Sequence, residues 1–178
     1  MIGRLLPMVT AAYDDLAGSR ATAVGAAYEA EWWGTPIDAA ALASTDAQDV
    51  EAALRGALVA RRRAELERKV TLTGPHRDEW RLQVRGLDAR THASQGEQRT
   101  LALALRLAGH NVVTEVAGAA PVFLLDDVFS ELDAQRAAAL VHNLPPGQTL
   151  VTTAGTVPDA VVAQRTLVVR DGHILGDA

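Results

Sequence analysis

Ala93-Ser94-Gln95-Gly96-Glu97-Gln98-Arg99-Thr100 and, further on, Val122-Phe123-Leu124-Leu125-Asp126-Asp127 are the stretches that decide how this chain folds. The first is a serine-glycine loop opening a helix. Ser94 followed three residues later by Glu97 spells a capping box: the serine oxygen accepts a backbone N–H, and the glutamate reaches back to the serine N–H. The tip of such a helix carries unsatisfied N–H groups and partial positive charge, which suits an anion. Gly96 leaves room for a bulky group to approach the backbone. Taken alone, the same box also marks an ordinary capped surface helix.

The second stretch predicts a strand buried on both faces, with Asp126 and Asp127 at its C-terminal edge. In parallel sheets that edge is where ligands gather. One carboxylate there can hold a divalent cation, and its neighbour can orient or deprotonate a water. Successive strand residues point to opposite faces, so both acids serve one site only if the strand bends or ends near Asp126. Otherwise they are solvated acids at a strand exit.

Working outward, residues 3–33 have helical spacing, with Leu5, Leu6, Val9, Tyr13 and Leu16 on one face and a second patch at Val24, Tyr28, Trp32 and Trp33 beyond Gly18. Gly34-Thr35-Pro36-Ile37-Asp38 breaks the pattern, and another helix is expected from Asp46 to Lys69. Its last turns carry Arg61, Arg62, Arg63, Arg68 and Lys69, either a solvated face or a patch for nucleic-acid phosphates. From Val70 the texture changes. Val70–Thr73 and Trp80–Val84 read as strands around Gly74-Pro75-His76-Arg77-Asp78, where His76 either orders its turn or takes part in chemistry.

A helix follows from Glu97 to about Ala117, another from about Asp133 to Asn143, and a strand at Thr149–Thr152. Two further strands flank Arg170-Asp171-Gly172, whose Asp-Gly pair signals a hairpin turn. Alternating strands and helices imply an α/β fold, a layered unit with a largely parallel sheet over 70–178. Residues 1–69 read as a separate helical piece.

Composition sets the limits. The chain has 178 residues, 48% hydrophobic but only 4% aromatic, so its core must be built from Leu, Val and Ala. Net charge is −5, which gives no global positive field for nucleic acid. Cysteine is absent, which excludes disulfides and thiolate metal sites. The apolar run after Arg4 is broken at Pro7, with no signal-peptide core or membrane span in view, so a soluble cytoplasmic protein is expected.

Three motifs in order carry a resemblance. Ser94-Gln95-Gly96-Glu97-Gln98 resembles the signature loop of cassette-type ATPases, Leu124-Leu125-Asp126-Asp127 their Walker B strand, and Ser130-Glu131-Leu132-Asp133 the D-loop. Within that superfamily the chain resembles the C-terminal part of the RecF family, recombination mediators related to SMC and Rad50 ATPases. The stretches that carry this are Thr73 through Glu79, Ala93 through Leu107 and Leu124 through Asp133.

The resemblance implies an ABC/SMC-type P-loop ATPase head over 70–178, with 1–69 as the end of an arm-like lobe. It implies ATP and Mg²⁺ as cofactors. Asp126 would be the magnesium-associated acid and Asp127 the catalytic base. Ser94, Gln95, Gly96, Glu97 and Gln98 would meet ATP held by a partner subunit, and Ser130, Leu132 and Asp133 would line the seam. Thr153 falls at the switch position, where transporters carry histidine. The implied partners are DNA at single-strand/double-strand junctions, RecR and RecO, and a second copy in an ATP-dependent homodimer, with no membrane. The implied roles are DNA replication, recombinational repair and the SOS response. DNA-contact candidates are Arg61, Arg62, Arg63 and Arg77.

The G-x-x-x-x-G-K-[ST] loop that begins such heads does not occur here, and Lys69 is the sole lysine. The chain alone is therefore expected neither to bind ATP tightly nor to hydrolyse it. The other readings are a fragment of a different cassette ATPase, such as a transporter subunit, and a non-enzymatic remnant.

Overall fold

The computed structural model describes residues 2–18, 22–34, 36–38, 41 and 44–177. Thr35 of the breaker lies outside them. Helix α1 (Ile2–Ala17) is followed by β1 (Val24–Glu29), β2 (Ile37–Asp38) and α2 (Ala47–Arg68). Strands β3 (Glu79–Val84) and β4 (Leu87–Asp88) lead into a short α3 (Ala89–His92) and the long α4 (Gln95–Ala117). Then come β5 (Phe123–Asp126), a 3-10 turn at Val128–Glu131, α5 (Ala134–His142), β6 (Thr149–Thr152) and the hairpin β7 (Leu167–Arg170)–β8 (His173–Asp177). Among the described residues, no helix is long and apolar enough to cross a membrane.

The strands form three sheets among the described residues. β2-β1-β3-β4 is antiparallel, β5-β6 is parallel, and β7-β8 is antiparallel around Asp171-Gly172. Parallel pairing is thus confined to β5 and β6, with Asp126 opposite Thr152 at their common C-terminal end.

Val9, Tyr13 and Leu16 of α1 are buried against Leu101, Ala104, Leu107 and Ala108 of α4, Phe123 and Leu125 of β5, and Leu140 of α5. His110 of α4 sits at the far end of this core. Its ring meets Phe123 edge-on at 5.4 Å, and its Nε2 lies 3.0 Å from the Pro121 carbonyl oxygen, fixing where β5 begins.

Four expectations are corrected. Residues 24–29 are strand, not helix, in antiparallel register with β3 (Tyr28 opposite Trp80). Val24 and Tyr28 are four apart, a spacing that keeps residues on one face in either structure, so it does not discriminate. Gly18, at φ +64°, follows the end of α1. The first 69 residues are therefore not a separate all-helical piece, since α1 and β1 build the same core and sheet as later elements.

Val70–Thr73 is not a strand. The Leu72 and Thr73 N–H groups donate to the Glu65 side chain at 2.8 and 3.3 Å instead of to a neighbouring strand. Finally, β5 is buried on one face only. Phe123 and Leu125 point into the core, while Leu124 is 68% exposed and Val122 49%. Nothing among the described residues covers that second face.

Candidate functional site

The capping box forms as its spacing requires. The Glu97 N–H donates to Ser94 Oγ at 3.3 Å, and the Ser94 N–H and hydroxyl both donate to Glu97 Oε2 at 2.9 Å. Arg85, in the turn between β3 and β4, pairs with the other carboxylate oxygen at 2.5 Å. These contacts, the Ser94 backbone N–H first, then its hydroxyl and Arg85, hold the Glu97 carboxyl below its ordinary range. Gln98 turns back to donate to the carbonyls of Ala89, Arg90 and Ala93 at 3.0–3.2 Å, bracing the loop from beneath. Ser94 and Gln95 are exposed and Gly96 half-buried, so the helix tip is open to an incoming group.

At the strand end the bend that two acids need is present. β5 ends at Asp126, and Asp127 takes the left-handed conformation, φ 48° and ψ 27°, which Asp tolerates better than most side chains. Its N–H donates to the Thr152 carbonyl at 2.9 Å, and its carbonyl accepts the Ser130 hydroxyl at 2.8 Å. Surrounding bonds thus impose the turn. The Thr152 hydroxyl donates to Asp126, and the Thr153 hydroxyl to Asp127 at 3.4 Å. Both acids are exposed at the open end of the parallel pair.

The D-loop runs from Asp127 toward α4. Arg99 reaches it twice, bonding the Glu131 carbonyl at 3.2 Å and its carboxylate at 3.3 Å. Leu132 packs against the core. Asp133 caps α5, accepting the Arg136 N–H at 2.8 Å and pairing with the Arg136 guanidinium. The Arg136 backbone N–H, and after it the guanidinium, keep the Asp133 carboxyl below its usual value.

The other proposed residues lie apart. Arg61 pairs with Glu31 at 2.9 Å and Arg63 with Glu67 at 3.0 Å, while Arg77 donates to the Thr71 carbonyl at 3.2 Å. Arg62 lines a shallow hollow with Lys69. The His76 ring lies against Gly74, whose φ of +141° makes the turn, with 3.2 Å between a Cβ built there and the imidazole. That placement matches the turn-ordering reading. Asp78 of the same stretch ties β3 to β1 by accepting the Tyr28 hydroxyl at 2.5 Å and the Trp32 indole N–H at 2.9 Å. Burial, then this bond, pushes the Tyr28 phenol up to about 12.

Sequence reasoning missed Arg85, Arg99 and Arg136. Only Arg136 leaves a local trace, three residues after the capping Asp133.

Among the described residues, no group of three or more His, Asp or Glu side chains is placed to hold a metal. Magnesium is commonly held by one or two carboxylates together with substrate phosphates, so Asp126 fits it only in company with a triphosphate. The chain lacks the lysine-bearing loop that would cradle that triphosphate in the same molecule.

The fold is that of part of an ABC/SMC-type α/β head. No protein-family model matches the chain. It is 42% identical, over 98% of its length, to the DNA replication and repair protein RecF of Frankia alni, of which it covers 46%. To RecF of Alkaliphilus oremlandii it is 49% identical over 87 residues, 24% of that protein. Solved structures of the recombination mediator RecF superpose with a TM-score of 0.73. One, bound to an ATP analogue, is 25% identical and matched over 43% of its length; another, with ATP, shares the fold at 24% identity. The chain is similar to part of RecF and spans about half the length of the Frankia relative.

Proposed function

We propose that these residues form the ATP-dependent clasp of a RecF-type protein acting in DNA replication, recombinational repair and the SOS response. Two heads would close over composite sites. The Ser94–Gln98 tip of one molecule meets the terminal phosphate of ATP carried by the other. Asp126 would hold magnesium, which would supply positive charge against the phosphates. Asp127 accepts a proton from the attacking water. The closed homodimer grips DNA at single-strand/double-strand junctions with RecO and RecR, and hydrolysis releases it.

The observation that carries this reading is the strand end itself: Asp126 and Asp127 side by side, the second turned by its left-handed backbone, at the open end of β5–β6. Thr153 at the switch position favours RecF-like over transporter cassettes.

In a full-length RecF-type protein carrying this sequence, Asp127→Asn should cut ATP turnover by roughly 10²–10⁴-fold while ATP binding stays unchanged. Retained turnover would remove Asp127 from its role. The isolated 178-residue chain should show no magnesium-dependent ATPase, and a clear rate would overturn that expectation.

A further inference from the structure

Arg136 sits where two functional loops meet, and neither motif includes it. Its guanidinium pairs with Asp133 of the D-loop, and its backbone N–H donates to the same carboxylate at 2.8 Å. The face of the same guanidinium lies over the signature tip, where a Cβ placed on Gly96 would lie 3.4 Å from Nη1, 3.5 Å from Nη2 and 3.6 Å from Cζ. The side chain is only 32% exposed, and its Nε is buried without a hydrogen-bond partner.

An ordinary pair three residues apart on a helix surface would leave the guanidinium in water and need no such burial. A desolvated, unpaired N–H is costly and calls for a reason. Here the arginine has been drawn inward across the tip of α4 instead of outward. A second tie runs parallel to it, from Arg99 of α4 to the carbonyl and carboxylate of Glu131. The D-loop is thus bonded to the signature helix through Glu131 and lies against its tip through Arg136.

We propose that Arg136 is a positioning residue that holds the D-loop and the signature tip at one fixed spacing before nucleotide arrives. This rests on the reading that both loops face the triphosphate carried by a second molecule. If they do, they must arrive together, because a misplacement of about 1 Å can cost on the order of 100-fold in rate. Arg136 suits the task because its planar fork bonds Asp133 along one edge while covering Gly96 with its face. A lysine ammonium offers no such plane.

The test is a comparison of ATP turnover in the full-length RecF-type protein with and without Arg136→Gln. The expected result is a fall in kcat of roughly 10- to 100-fold with the KM for ATP nearly unchanged, because the phosphate-cradling loop lies elsewhere. Arg136→Lys should recover part of that loss. In the isolated chain, Arg136→Gln and Asp133→Asn should both shift the Gly96 amide resonance, reporting the link with no nucleotide present.

Unchanged kcat, an equal change in KM, or a loss that merely follows lowered thermal stability would overturn the role. If Arg136→Gln does not fold, Arg136→Lys must show the same split at smaller size, and wild-type kinetics from it would count as refutation. Failure of the underlying reading is distinct, since then a mixture of Ser94→Ala and Asp127→Asn proteins recovers no turnover, whatever Arg136→Gln does.

Discussion

At the scale of single residues, Glu97 shows how a local signal becomes a site. It binds Ser94 through two donors and Arg85 through a third, and these keep its carboxyl below its ordinary value of 4.5. A depressed folded pKa means stability that is present above the unfolded value and lost as pH falls through the folded one. Glu97→Gln should therefore lower the melting temperature at neutral pH, and the deficit should shrink as pH is taken toward about 3. A deficit that stays constant down the titration would show that the charge is not what holds the loop.

The Ser94–Glu97 partnership was legible because it spans three residues. Arg85 was not, because it reaches Glu97 only through the β3–β4 turn, where Arg85 itself is left-handed at φ 54°. Asp127 lies between these cases. Its place beside Asp126 is written in the sequence, but its left-handed backbone turn depends on bonds to Thr152 and Ser130.

At the scale of elements, periodicity read well where it was long and failed where it was short or ambiguous. The helices at 47–68 and 95–117 and the hairpin around Asp171-Gly172 follow from caps, spacing and turn chemistry. Residues 24–29 became strand because a spacing of four fits both structures. Val70–Thr73 lost its strand to a glutamate side chain four residues before Lys69. The apolar run at 122–125 showed that a strand was there but not how many of its faces are covered.

That last point is measurable in the isolated chain. Leu125→Ala, emptying a core position, should cost about 2–5 kcal/mol of folding stability. Leu124→Ala, on the open face, should stay within about 0.5 kcal/mol. Equal losses from the two would mean that the second face is packed after all.

At the scale of the whole molecule, the described residues form a layered core with a bare side. Leu124, Leu150, Val169 and Ile174 are all exposed, and the β5–β6 pair is narrower than a continuous apolar strand implies. A sequence conveys the order of its motifs but not which molecule completes the site they belong to, and here the signature loop and the acidic strand end are taken to serve different nucleotides.

Mixing two crippled versions of a full-length RecF-type protein carrying this sequence tests that claim most directly. One would bear Ser94→Ala and the other Asp127→Asn, each nearly inert by itself. In mixed dimers one composite site keeps both an intact tip and an intact acid. The mixture should then recover turnover, up to about a quarter of the wild-type rate for random pairing of independent sites. Activity no greater than the average of the two unmixed preparations would contradict a site shared between molecules.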